Sequence, residues 1–343
     1  MEKKILTICV IGSGSFGTAL GTAAARSGHK VIIISRNQET IDEINNNHTN
    51  SKYFPKEISI PDNVTAGGYD TLKSCNAIIH AVPVQSSVEI LMKIKDLIPN
   101  GVSYIIASKG ILLHEKKFFS QIWDSIFPPE RKINHVILSG PSFALEIMKN
   151  FPTLIVLGCK DLEVARFLQY NLSNETFRVY VTDDVLGVEI GGALKNVVAI
   201  MAGLVEGLGY KFNTSSALVT RGVFEISLFS KFFGGRSETL YGLSGIGDIM
   251  LSALGDLSRN KKVGLALAKG ESIEEIISKA AEVAEGVPTL KVLYEIITEN
   301  KLNMPMCETI YKVVYEKMPT EEARKHLMLR NLELENELDL KKK

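Results

Sequence analysis

Short continuous runs of β-branched and other apolar residues mark the first half of the chain at 5–11, 30–35, 76–82, 102–107, 135–139, 153–158 and 177–182. Segments of helical character lie between them, so the pattern predicts a parallel sheet covered by helices on both faces. The crossover from the first run to the second, Thr18 to Arg26, ends at Ser27-Gly28-His29, where Gly28 suits a left-handed cap. Residues 37–75 interrupt the alternation. They are polar, contain Asn45-Asn46-Asn47, Pro55 and Pro61, and predict a helix followed by an irregular excursion. After about Asp184 the strand pattern stops, and helices are predicted at 185–207, 214–233, 245–256, 261–269, 272–283, 286–299 and 305–317.

The first run ends in Ile11-Gly-Ser-Gly-Ser-Phe-Gly17 and passes into small residues that start a helix. Gly12 permits a tight turn, Gly14 lets a pyrophosphate meet the backbone, and Gly17 lets helix and strand pack closely, with helix N–H groups facing the anion. The fold class expected is a Rossmann-like, doubly wound α/β domain over 1–184 and an all-α domain over 185–331. Alternating leucines and acids followed by three lysines at 332–343 predict a tail.

Length supports the division, because 343 residues exceed what one core holds, about 250 to 300. Lys plus Arg and Asp plus Glu each number 39, so no overall field favours nucleic acid. Cys9, Cys75, Cys159 and Cys307 form no CxxC pair, and the six histidines have no HExxH spacing, so neither a disulfide framework nor a metal site is expected. A reducing cytoplasm fits these cysteines. The longest apolar stretch, 196–205, falls short of the roughly 20 residues that span a bilayer, and stable membrane insertion is not expected.

Several polar residues fall where chemistry belongs. Ser35-Arg36 ends the second run, where an acid would hold free ribose hydroxyls and a guanidinium suits a 2′-phosphate; Arg36 is either that ligand or a surface arginine. Lys109 ends another strand, on the edge where open sheets bind ligands, and a solvated loop lysine is the alternative. Ser139-Gly-Pro-Ser-Phe-Ala144 is a strand-to-helix link permitting close backbone approach, or an ordinary proline turn. In Glu189-Ile-Gly-Gly-Ala-Leu-Lys195-Asn196, helical spacing puts Gly191, Gly192, Ala199 and Ala202 along one strip with Lys195. Asp248, closing Leu243-Ser-Gly-Ile-Gly-Asp248, serves a helix N-terminus or positions an active lysine. Ser258-Arg-Asn-Lys-Lys262 suits a phosphate or forms a solvated basic turn, and Val283-Ala-Glu285-Gly-Val-Pro288 is a helix-end turn.

Together these stretches resemble the NAD(P)-dependent glycerol-3-phosphate dehydrogenase family, in its bacterial-type branch. Its motifs stand in order as GSGSFGTAL at 12–20, ASKG at 107–110, SGPSFALEI at 139–147, EIGGALKNVVAI at 189–200, GLSGIGDI at 242–249, SRN at 258–260 and VAEGV at 283–287. The resemblance implies hydride transfer between NAD(P)H and dihydroxyacetone phosphate to give sn-glycerol 3-phosphate for glycerophospholipid synthesis, with the active site between two domains. It assigns Gly12, Gly14, Ser15, Phe16, Gly17, Arg36, Lys109, Ala144, Arg259, Val283 and Glu285 to the cofactor. Lys109, Gly140, Ser142, Lys195, Asp248, Ser258, Arg259 and Asn260 go to the substrate, with Lys195 as acid/base and Asp248 as its partner. Phe16 departs from the tryptophan of many relatives. A homodimer is the family expectation. The competing readings are a β-hydroxyacid or ketopantoate-type reductase, which binds a carboxylate, and a non-catalytic NADP sensor, which has no use for a Lys195–Asp248 pair.

Overall fold

Eight strands form one sheet in the computed structural model, which describes residues 3–279, 283–332 and 335. They are β1 (Thr7–Ile11), β2 (Lys30–Ile34), β3 (Val64–Gly67), β4 (Ala77–His80), β5 (Ser103–Ile106), β6 (Asn134–Ser139), β7 (Thr153–Gly158) and β8 (Phe177–Thr182). Their spatial order is β3-β2-β1-β4-β5-β6-β7-β8. All neighbours are parallel except β6 and β7, which run antiparallel. The order reverses between β1 and β4, and in an open α/β sheet the crevice outside the carboxyl ends of the strands at such a switch point is the ligand site.

Both faces of the sheet are buried over its central strands β1, β4 and β5, which explains why these read as largely apolar runs, whereas the edge strand β8 alternates buried and exposed residues. Ile8, Val10, Ile33 and Ile79 pack in one layer with Ala19 and Ala23 of α1 (Ser15–Arg26), together with Ile44 of α2 (Gln38–Asn47). Facing the other way, Tyr104 is fully buried and its ring lies 5.4 Å from that of Trp123 and 6.1 Å from Phe127. The helices α3 (Val84–Ile94), α4 (Trp123–Ile126), α5 (Ala144–Met148) and α6 (Leu162–Leu172) complete this part. β3 lies inside the excursion at 37–75 and was not predicted. Its four residues carry only one strong apolar anchor, Val64, and pairing with β2 from Val31↔Val64 makes it a strand.

The remaining elements are helical: α7 (Val185–Gly207), α8 (Phe212–Phe232), α9 (Asp248–Leu254), α10 (Arg259–Ala268), α11 (Ile273–Lys279), α12 (Gly286–Glu299), α13 (Pro305–Tyr315) and α14 (Thr320–Met328). The fold class is therefore the expected one. Of the segment predicted at 272–283, positions 280–282 lie outside the described residues, as does the tail at 332–343 apart from 332 and 335.

The chain divides into two compact units at places the sequence did not indicate. One runs up to Lys109 and resumes at Phe119–Glu189; the other combines Gly110–Phe118 with Ile190 onward. The expected boundary after 184 differs from this division by five residues, and the detour at 110–118 is additional. Phe118 explains the detour, since it is 1 % exposed and packs edge-on to Phe229 and Phe233, with centroids 6.3 and 6.5 Å away. α7 is long and apolar enough to cross a membrane, but 89 % of its most apolar window is buried, as in a core helix.

Candidate functional site

The first unit gathers its candidate residues at the carboxyl ends of β1, β2, β5 and β6. Gly12 has φ +111°, and a Cβ there would sit 2.6 Å from the Ala81 carbonyl oxygen. One on Gly17 would overlap the Gly12 carbonyl. A Cβ on Gly14, by contrast, would meet nothing within 4 Å. Two of the glycines are thus required by the protein's own packing, while the third keeps a space clear above the backbone. α1 begins there with Gly14 as its N-cap, no capping side chain and no acid in its first turn. The first helical bond runs from Thr18 N to Gly14 O, 3.0 Å, so the preceding N–H groups and the helix dipole are directed at that space. Ser15 and Phe16, partly buried, open the helix. These features fit a dinucleotide pyrophosphate.

Arg36 is exposed just beyond β2. Lys109 follows β5, where the Ser108 hydroxyl donates to Val82 O at 2.6 Å and fixes the strand end. Its Nζ donates to Gly140 O at 3.4 Å and stands 5.7 Å from the centre of the Phe16 ring. Gly140, at φ +125°, has no room for a Cβ beside Ile155, and the Ser142 hydroxyl donates back to Gly140 O at 2.9 Å. Lys109, Gly140, Ser142 and Phe16 are thereby brought together, and Ala144 starts α5 two residues on.

In the second unit, Lys195 and Asp248 meet. Lys195 Nζ donates to Asp248 Oδ1 at 2.7 Å, and the two side chains are 12 % and 1 % exposed. The glycine strip explains how. A Cβ on Gly191, one turn before Lys195, would come 2.5 Å from Ser244 O, so the segment entering α9 lies directly on α7. That segment is a π-turn, Leu243–Gly247, closed by Gly247 N to Gly242 O at 3.1 Å, and α9 starts at Asp248. A residue the sequence reasoning missed joins the pair: Lys195 Nζ also donates to Ser252 Oγ at 2.8 Å. Its signal was present, because Ser252 follows Asp248 by four residues on one helix and shares its face.

Ser258 caps α10, accepting from Lys261 N at 3.2 Å, and Arg259 is the exposed first residue of that helix. Asn260 is held by the protein at both ends of its amide. It donates to Asn196 Oδ1 and accepts from Gly286 N, both at 2.9 Å, which leaves one N–H of its amide group for a ligand. Lys261 is not solvated: its side chain is 4 % exposed and its Nζ meets Glu206 at 3.0 Å and Asp256 at 3.3 Å. Val283 is exposed, and Glu285 precedes α12.

Glu189, the first residue of the lysine motif, belongs to the first unit. Its buried carboxylate accepts from Phe119 N at 2.7 Å and from Ser120 N, and burial pushes its pKa up to about 7. It closes a turn in that unit. Among the described residues, no group of three or more His, Cys, Asp or Glu side chains could hold a metal ion.

Two family models match the chain. The NAD-dependent glycerol-3-phosphate dehydrogenase N-terminus covers residues 7–165, and the corresponding C-terminus covers 184–325. A glycerol-3-phosphate dehydrogenase [NAD(P)+] of Leptospira biflexa is 40 % identical over 96 % of this chain and 99 % of its own length. One of Streptococcus thermophilus is 39 % identical over 99 % and 100 %. The crystal structure of glycerol-3-phosphate dehydrogenase from Coxiella burnetii superposes with a TM-score of 0.88 at 29 % identity, covering 95 % of this chain and 99 % of that one.

Proposed function

Because the chain belongs to the NAD-dependent glycerol-3-phosphate dehydrogenase family, we propose that it interconverts dihydroxyacetone phosphate and sn-glycerol 3-phosphate with NAD(P)H, and that Lys195 is its acid/base group. The observation that carries the residue assignment is the buried Lys195–Asp248 contact at 2.7 Å. A sensor has no need of such a pair, and relatives named as glycerol-3-phosphate dehydrogenases disfavour the carboxylate-binding reductases.

When bound, the reduced nicotinamide supplies the hydride that reduces C2 of the ketone. Lys195 Nζ–H protonates the alkoxide oxygen that forms, and takes that proton back in the opposite direction. Asp248 holds the ammonium in place, with Ser252 fixing a second of its N–H directions. Arg259 and the remaining Asn260 N–H form the phosphate clamp, with Ser258 shaping their helix start. Lys109, Gly140 and Ser142 contribute to the substrate region, and Lys109 also to the cofactor.

The open space above Gly14 and the uncapped start of α1 suit the pyrophosphate; Ser15, Phe16 and Ala144 line the same side. Arg36 is assigned to the ribose 2′-phosphate, Val283 and Glu285 to further cofactor contacts. The product supplies glycerophospholipid synthesis in the cytoplasm, and the enzyme acts as a homodimer; both assignments rest on the family.

Purified protein should oxidise NADPH or NADH when dihydroxyacetone phosphate is added, and not when 2-dehydropantoate replaces it. Oxidation with the second substrate alone, or with neither, overturns the proposal.

A further inference from the structure

The excursion at 37–75 has no part in the chemistry so far, yet it delivers one buried amide to the glycine turn. Asn50 is 2 % exposed. Its Nδ2 donates to Ser13 O at 3.0 Å and to Thr18 Oγ1 at 2.9 Å. These two acceptors flank residues 14–17, whose N–H groups point to the anion space. A single planar group therefore clasps the turn at both ends.

Asn50 is itself held. The Glu43 carboxylate of α2 accepts from Thr49 Oγ1 at 2.8 Å and from Ser51 N at 2.7 Å, gripping the chain on either side of it. Asn50 O accepts from Tyr53 N and Phe54 N at 3.0 and 3.1 Å, and His48 O accepts from Ile60 N at 2.8 Å. Phe54 and Ile60, 4 % and 2 % exposed, anchor the excursion in the sheet's core cluster. The carbonyl end of the Asn50 amide, Oδ1, is buried without a hydrogen-bond partner among the described residues. The amide is thus placed by its two donated bonds alone. Ser13 links this clasp to the adenosine end, because its hydroxyl donates to Ser35 Oγ at 2.9 Å, and Ser35 Oγ accepts from Asn37 N at 3.2 Å.

We propose that Asn50 is a positioning residue for the dinucleotide, holding the Gly14–Gly17 N–H groups in the arrangement that receives the pyrophosphate; this rests on the cofactor reading above. The turn carries a left-handed glycine and no cap of its own, so a donor from outside is what limits its alternatives. Because the pyrophosphate is common to both nicotinamide cofactors, Asn50 acts on NADH and NADPH alike, unlike Arg36.

The test is Asn50→Leu, which keeps the branched shape and removes both donors. Fluorescence titration should show Kd for NADPH and for NADH raised about tenfold or more, by the same factor, as expected for losing two buried hydrogen bonds. The loss should appear in the cofactor KM, with the KM for dihydroxyacetone phosphate changed less than twofold. A purely structural role would lower the melting temperature and leave Kd alone. Thr18→Val, which removes one acceptor only, should weaken both cofactors about threefold and carries the test if Asn50→Leu does not fold. Cofactor affinities within twofold of wild type in a folded variant overturn the proposal. Failure of the wild-type protein to bind either cofactor overturns instead the reading on which it rests.

Discussion

Separating the charge of the Lys195–Asp248 pair from its chemistry requires three variants: Lys195→Met, Asp248→Asn and the two combined. At 2.7 Å and an effective dielectric constant near 20, the attraction is about 6 kcal/mol before desolvation is subtracted. Removing one partner of such a buried pair typically costs about 3 to 5 kcal/mol, chiefly because the other charge stays buried. Each single variant leaves the other side chain buried, at 1 % exposure for Asp248 and 12 % for Lys195. Lys195→Met and Asp248→Asn should therefore each destabilise by about 3 to 5 kcal/mol. The double variant buries neither charge, so its loss should fall short of the sum by about 3 kcal/mol. Turnover should not recover with stability: Lys195→Met and the double variant should both lose a factor of about 10² to 10⁴, the usual contribution of a general acid. Urea unfolding of the four proteins and single-turnover oxidation of NADPH measure the two effects separately. Additive stability losses would refute the electrostatic argument, and near-normal single turnover in folded Lys195→Met would remove Lys195 as the acid and return attention to Lys109.

Arg36→Ala should weaken NADPH more than NADH, by about tenfold or more from the loss of a charge-assisted contact, and equal losses in titration would refute the assignment to the 2′-phosphate. Gly14→Ala should fold with near wild-type stability, since its Cβ meets no protein atom, yet bind both cofactors poorly; Gly17→Ala should lose about 1 to 3 kcal/mol or more of stability through overlap with Gly12 O. Calorimetry with and without NADPH distinguishes these outcomes. Glu225 is fully buried, accepts from Met306 N and Cys307 N at the start of α13, and burial raises its pKa to about 7. A carboxyl raised from 4.5 binds its proton more tightly in the folded protein, so its contribution is complete below pH 4.5 and lost as pH rises through 7, about 3 kcal/mol in all. Glu225→Gln should remove that much of the stability difference between pH 4.5 and 8 in urea unfolding; an unchanged difference refutes it. Comparing variant with wild type cancels the opposite slope from His80 and His135, whose pKa values burial lowers to about 3.

What the sequence revealed depended on whether the cause was local. The sheet was legible because strands such as β4 and β5 are buried along their whole length and so written mostly in apolar residues, Ala77-Ile-Ile and Tyr104-Ile-Ile. The glycine turn was legible because two of its glycines are demanded by contacts with Gly12 and Ala81 at the same strand ends. The small residues along α7 were visible too, and the family motifs paired Lys195 with Asp248, but the contact of Gly191 with Ser244 that seats the pair is decided by a partner about 50 residues away. Asn50 was illegible for the same reason, as its acceptors lie 32 and 37 residues back and its surroundings have no periodicity. Asn260 was flagged as a ligand group, whereas its bonds to Asn196 and Gly286 show that much of the amide is already engaged.

The passage of Gly110–Phe118 into the helical unit governs how this protein can be made and taken apart. The ring of Phe118 waits for Phe229, about 110 residues later, before it has its packing partner, so this segment must stay unsatisfied through much of synthesis. Each unit is assembled from separated stretches of chain, and no single cut yields both intact: one after Glu189 keeps the first unit whole but takes Gly110–Phe118 from the second. A fragment ending near 184 would carry Ile111, Leu112 and Phe118, all buried in the whole chain, with the helices of their own unit missing. The complementary fragment would have a hole where Phe118 belongs. Expression of either half alone is thus expected to give aggregation-prone material, while co-expression of the halves offers the helical unit its missing segment only in trans.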